Sequence, residues 1–398
     1  MSAAATVHCS IQPPPVPVRV SQSKSQTAFS WKLFAAALFI GILVQAAGPN
    51  WLKSVFVADR LPAFEKALML LTAIAASVSL HELGHLIPSL CFGFHVSRVS
   101  VGPVSLARLG SAWKLQYSRN WFSGSVSAVP ANDRAWRLRM LAVVAAGPLA
   151  SLALFLLAGY EMNRLTAYPS LFVFAKSLAE INFFIALLGL IPNSEDAQVR
   201  NDARLFWTIL RNRSQAEQIK LYQQVTRLQI NAVRPRDYPQ QLIERLACSR
   251  GTSDLILFSA HTIYLWALDS GEIATAAAWD RYATALIEEQ NLRLRNIVLC
   301  ESAYFDLVHR GDSISACKKL NETNFTALPG SLLHRSNAVR QLAMRNYPEA
   351  LMNIEKARAG LNDPRSCFAF ELILLDFLER QVAMRTDEHR PRAMHAAA

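Results

Sequence analysis

Charge is what this chain has least of. Asp, Glu, Lys and Arg make up 18% of its 398 residues, against about 25% in ordinary soluble domains; with 52% hydrophobic residues this excludes a protein that is soluble throughout. The mean hydropathy of +0.17 is too low for a chain embedded in lipid from end to end, so a membrane part joined to a soluble part is expected. Cysteine is scarce too. Cys9, Cys91, Cys248, Cys300, Cys317 and Cys367 show no metal-ligand spacing and no disulfide framework, which suits a soluble part facing a reducing cytosol. Acidic residues are outnumbered, 30 to 41, and the resulting charge of +11 concentrates beside the apolar runs. That placement points to anionic lipid and excludes nucleic acid as the partner. Beyond Leu205 no apolar run is long enough to cross a bilayer.

What is present is an apolar run from Ala67 to Val96 broken by one polar island, His81-Glu82-Leu83-Gly84-His85. On a helix, positions i and i+4 lie on one face, so both imidazoles can aim at one metal ion, and the spacing suits zinc with a third protein ligand and an open fourth position. Glu82 then stands beside the metal, placed to take a proton from its water and deliver it to a leaving amine. On a soluble helix the same residues would read as surface or packing groups. In a membrane span an ionisable side chain costs roughly 2.5–3.5 kcal/mol on insertion scales, and three of them mark function.

Leu80-His81-Glu82-Leu83-Gly84-His85-Leu86, followed by Phe92-Gly93-Phe94-His95-Val96 and the Val101-Gly102-Pro103 turn, resembles the first catalytic helix and hairpin of the site-2 protease family of intramembrane zinc metalloproteases. The resemblance implies a third zinc ligand, an aspartate from a later helix. Gly189-Leu190-Ile191-Pro192-Asn193 and then Asn201-Asp202-Ala203-Arg204 resemble the segment that carries it, with Asp202 as the match and Glu195 and Asp196 as rivals in an intervening insertion. Ala145-Ala146-Gly147-Pro148-Leu149-Ala150-Ser151 resembles the family's Gly-Pro helix. Asn182 matches an intramembrane asparagine that can hydrogen-bond substrate or oxyanion, or simply join two helices. Two positions depart from the pattern: Gly189 stands for an asparagine, and Ala203 for a glycine whose backbone freedom alanine lacks.

The expected fold is mainly α: a polytopic helical bundle of about four spans with a small β-hairpin loop, followed by an α-helical tetratricopeptide-like solenoid. Residues 1–30, rich in Pro and Ser, read as a disordered tail. Residues 31–207 form the membrane metalloprotease domain, 208–384 a cytosolic helical domain and 385–398 a disordered tail. The spans are Trp31–Ala47 (or a cleaved signal peptide), the His81 run, Leu138–Tyr160 and Leu171–Ile191. Between the second and third, Arg98, Arg108, Lys114, Arg119, Arg134, Arg137 and Arg139 face Asp133 alone, which puts that loop and both termini on the cytoplasmic side. A multi-pass protein of a bacterial inner membrane is expected.

In the helical part a turn theme recurs at Gly271-Glu272, Gly311-Asp312 and Arg345-Asn346, near the tetratricopeptide period. His261, His309 and His334 read as packing or solvent residues. The resulting functional expectation is a zinc endopeptidase acting on a membrane-protein substrate, with lipid around it and a protein partner on the helical domain. The alternative is a membrane-anchored scaffold with an inactive or structural metal site.

Overall fold

The computed structural model describes residues 11–15, 61–109, 112–117, 124–162, 164–192, 201–250, 254–289, 294–328, 330–361 and 369–389. Two compact units result, residues 21–217 and residues 1–20 with 218–398. The span expected at Trp31–Ala47 lies outside the described residues.

In the first unit, α1 (Ala63–Cys91), α2 (Trp136–Met162) and α3 (Pro169–Leu190) are each long and apolar enough to cross a membrane. Their large side chains face outward: Leu71, Ile87, Leu90, Leu149, Leu156 and Leu188 are all about half exposed or more, an apolar rim that water would penalise and lipid would cover. Small residues bring the helices together. A Cβ on Gly84 would lie 2.8 Å from both the Ala146 carbonyl oxygen and the Ala150 Cβ, so α1 and α2 pack closer than any other residue at 84 permits. The apolar run of the sequence ends as a helix at Cys91, where Gly93 takes a positive φ of 70°, and Phe94 and Val96 begin a strand instead.

The loop after α1 is larger than a hairpin. It folds as an antiparallel sheet of order β3-β2-β1-β4, with β1 at Phe94–Val101, β2 at Val104–Leu109, β3 at Ala112–Tyr117 and β4 at Gly124–Pro130. A tight turn pairs Val101 with Val104, and β4 returns beside β1 with Val99 opposite Val126 and a bulge between Val96 and Arg98. The last strand is hard to read in the sequence because β4 alternates valine only with serine, alanine and glycine. After α3, α4 (Asp202–Arg211) follows, capped by Asn201, whose Oδ1 accepts from the Arg204 N–H. Arg137, at the start of α2, donates to the Ile209 and Leu210 carbonyls. A cation on the open carbonyls of its last turn thus fixes α4 at its far end.

The second unit is a layered array of helical hairpins. After α5 (Arg213–Ile230) and α6 (Gln240–Ala247), α7 (Asp254–Asp269) pairs with α8 (Ile273–Glu289). Next α9 (Arg295–Phe305), extended by a π turn to Arg310, pairs with α10 (Ser313–Asn321), and α11 (Gly330–Ala343) with α12 (Tyr347–Ala359). The three turns singled out in the sequence occupy the three hairpin bends: Gly271, Gly311 and Arg345 have φ of 78°, 70° and 62°. Two glycines adopt that conformation freely, whereas arginine holds it at a cost. Helix α13 (Ala369–His389) closes the array and runs past Arg385, so the stretch read as a disordered tail begins as helix. Of the other tail, residues 11–15 are ordered against this unit, with Ile11 packed on its core.

Candidate metal centre

Two helices supply the centre. On α1, His81 and His85 stand one turn apart with ring centroids 5.0 Å from each other; Asp202 enters from the first residue of α4. Its Oδ2 lies 3.2 Å from His81 Nε2 and 3.3 Å from His85 Nε2, and one ligand atom from each of the three residues falls within 4.8 Å of the others. Burial alone would raise the Asp202 carboxyl, but the hydrogen bonds with His81 and His85 hold it down, to about 2. It is a carboxylate at neutral pH, as a metal ligand must be. Glu195 and Asp196, the rival ligands, lie outside the described residues.

The imidazoles are aimed from behind. His85 Nδ1 donates to the Val143 carbonyl at 2.8 Å, which makes Nε2 the nitrogen that faces the cluster. His81 Nδ1 meets the Ser151 hydroxyl at 3.0 Å. Such outer contacts set the tautomer and ring angle of metal-binding histidines. Gly147 makes the approach possible, because a Cβ there would collide with His85 Nε2. The adjacent Pro148 has no N–H for the Val144 carbonyl, so the helix ladder is already open beside the carbonyl that reaches His85. Ser151 and Gly147 both lie in the Gly-Pro stretch, where a hydroxyl and a glycine in an apolar helix were the available signals.

Glu82 is 6% exposed, and its Oε2 is buried without a hydrogen-bond partner. Its carboxyl packs against the backbone of Gly124 at the start of β4, where any side chain would strike it. A buried carboxylate oxygen with no protein partner, beside two oriented imidazoles and an ionised aspartate, is a donor set that fits a zinc ion and a water.

Asn182 joins two helices. It is fully buried on α3, and its amide donates to Ser77 Oγ and to the Leu178 carbonyl, both at 2.8 Å. Ser77 is one turn before His81, so this bond ties α1 to α3 just below the centre. The two departures from the family pattern leave the cluster intact. Gly189 lies against Pro148, with room for little more than hydrogen, while Asn201 closes the turn by donating to the Leu188 and Ile191 carbonyls. Ala203 sits inside the first turn of α4, where alanine costs less than glycine.

No curated protein and no solved structure matches the chain. Residues 69–200, from α1 to the approach of α4, match the model of Peptidase family M50, stopping just short of Asp202. That family comprises zinc metalloproteases, and three apolar helices together with the match make the chain an integral membrane protein. The stretch holding His81, Glu82 and His85 is thus similar in sequence to peptidase family M50, the site-2 protease family, over about a third of the chain.

Proposed function

We propose that this chain is an intramembrane zinc metalloendopeptidase that hydrolyses a peptide bond in or near a transmembrane segment of a membrane-protein substrate. The observation that carries the reading is the convergence of His81, His85 and Asp202 beside the unpartnered carboxylate oxygen of Glu82. A zinc ion held by the three would acidify a bound water and polarise the scissile carbonyl. Val143 and Ser151 keep the two imidazoles turned toward it. Glu82 accepts the water's proton on its free oxygen and passes it to the leaving amine, a relay typically worth a factor of 10² to 10⁴. Asn182 serves here as a clamp between α1 and α3, since both its N–H groups are engaged within the protein.

Substrate must reach Glu82 as extended backbone, because a helix keeps its carbonyls in its own hydrogen bonds. Strand β4 is an edge strand of the sheet, and its Gly124 end touches Glu82. An unwound substrate added along that edge would pass the carboxylate, a mode in which main-chain bonds supply affinity. The count of four spans, one of them the sequence-read Trp31–Ala47, returns the chain to the side on which it starts. The basic loop puts that side in the cytoplasm, and the packing of Ile11 on the helical unit agrees with both termini sharing it. In this reading the helical unit, a tetratricopeptide-like array, recruits a protein partner. The scaffold alternative draws its force from Gly189 and Ala203, and neither costs the centre a ligand.

The test is comparative proteomics of membrane fragments from cells carrying the wild-type chain or Glu82→Gln. Fragments ending within membrane spans should vanish with the variant while the purified variant keeps its zinc; identical fragment sets would refute the proposal.

A further inference from the structure

One hydrogen bond joins residues 268 positions apart: the Trp279 indole Nε1–H donates to the Ile11 carbonyl at 2.6 Å. Trp279 is 2% exposed, and its ring meets Tyr282 edge to face at 5.5 Å. A buried indole N–H requires an acceptor, and here the acceptor is the backbone of another segment, not a neighbouring side chain. The Ile11 side chain packs on the hydrophobic core of the helical unit; Pro13 and Pro14 are half-buried, while Gln12 and Pro15 point to solvent. Nothing in residues 11–15 forms helix or strand.

We propose that the helical unit is a peptide-capture site for an extended segment of the type large aliphatic residue, spacer, then prolines, and that the chain's own Ile11–Pro15 fills it in cis. The chemistry of the contact selects this class. One anchor side chain packs against the core and one carbonyl meets the indole, a bond any residue's backbone can make, so specificity rests on the anchor and on the prolines. Proline has no N–H to leave unsatisfied against an apolar surface, and its fixed φ holds the peptide extended before it binds, so little conformational entropy is lost. The tether does the rest. A linked segment acts at an effective concentration of about 1 mM, so even an intrinsic Kd of about 100 μM leaves the site roughly nine-tenths occupied by its own chain. A partner segment of the same pattern binds only by displacing it, so the N-terminal residues set the threshold for recruitment. This deepens the partner-binding role proposed for the helical unit and is independent of the metal centre.

The test uses the full-length protein in detergent and a fluorescein-labelled peptide of residues 10–18, read by anisotropy. The wild-type chain should bind the probe weakly, and Ile11→Asp, which empties the cis site, at least tenfold more tightly. Deletion of residues 1–15 should match Ile11→Asp. Adding Trp279→Phe to either should weaken probe binding about threefold to tenfold, the worth of one hydrogen bond. Equal binding by the wild-type and emptied chains, no binding by any of them, or indifference to Trp279→Phe would overturn the proposal. Zinc content should be the same in every variant, which keeps this result separate from any failure of the peptidase reading.

Discussion

Gly147 and His85 stand so close that the imidazole Nε2 occupies the space a side chain at 147 would need. The histidine can face Asp202 only because the helix opposite has no Cβ at that point. Gly147→Ala should push the ring off its line and weaken zinc binding about 10- to 100-fold, the range for disturbed ligand support. Competition with a chelating dye measures it; unchanged affinity would mean that His85 is not held in this position.

Ser151 supports the other imidazole through His81 Nδ1. Ser151→Ala should lower zinc affinity about tenfold with little change in thermal stability, while Ser151→Thr, which keeps the hydroxyl, should stay near wild type. Parallel zinc titrations and melting curves distinguish a loss of orientation from a loss of fold.

Arg137 holds the end of the helix that begins with Asp202. Without the guanidinium, two terminal carbonyls lose their donor and the helix frays toward its ligand. Hydrogen exchange over residues 202–211 should accelerate in Arg137→Ala, with weaker zinc retention; protection equal to wild type would show that α4 is fixed by other means.

How much of this the sequence made readable depends on range. The His81-Glu82-His85 pattern is a one-turn relationship inside an apolar run, and both properties are written in consecutive residues. The hairpin bends at Gly271, Gly311 and Arg345 were legible for the same reason, as short turn signals at a regular interval. Asp202 was reachable only through a family likeness, because 117 positions separate it from His85 in the numbering and no period links them. The aiming of His85 by Val143 was invisible, since a backbone carbonyl has no letter. Trp279 and Ile11 gave no signal at all: each is ordinary in its own neighbourhood, and only the fold makes them partners.

In the helical unit, Arg335 is buried and bonded to Glu301 and, at 2.6 Å, to Glu371. Arg335→Met strands two carboxylates and should cost about 3–5 kcal/mol, lowering the melting temperature of this unit by roughly 10 °C or more. Adding Glu301→Gln and Glu371→Gln should recover a large part of that loss, as differential scanning calorimetry would show; no recovery would place the cost in packing, not charge.

Asp306 gives the same unit an acid limit. Burial alone would raise its carboxyl, but Lys319 and Ser315, with Arg310 beside them, hold it below its ordinary 3.8. A lowered folded value stabilises fully above the ordinary value and loses that contribution as pH falls through the lowered one. Melting temperature should therefore drop more steeply below about pH 4 in the wild type than in Asp306→Asn, which starts lower and loses less.

The most direct test of the central claim is X-ray absorption at the zinc edge of the purified full-length protein. The account predicts one zinc per chain, with two imidazole nitrogens at about 2.0–2.1 Å and carboxylate oxygen in the shell, the carboxylate contribution lost in Asp202→Asn and the whole shell retained in Glu82→Gln. A spectrum unchanged by Asp202→Asn, or zinc absent from the wild-type protein, would contradict it.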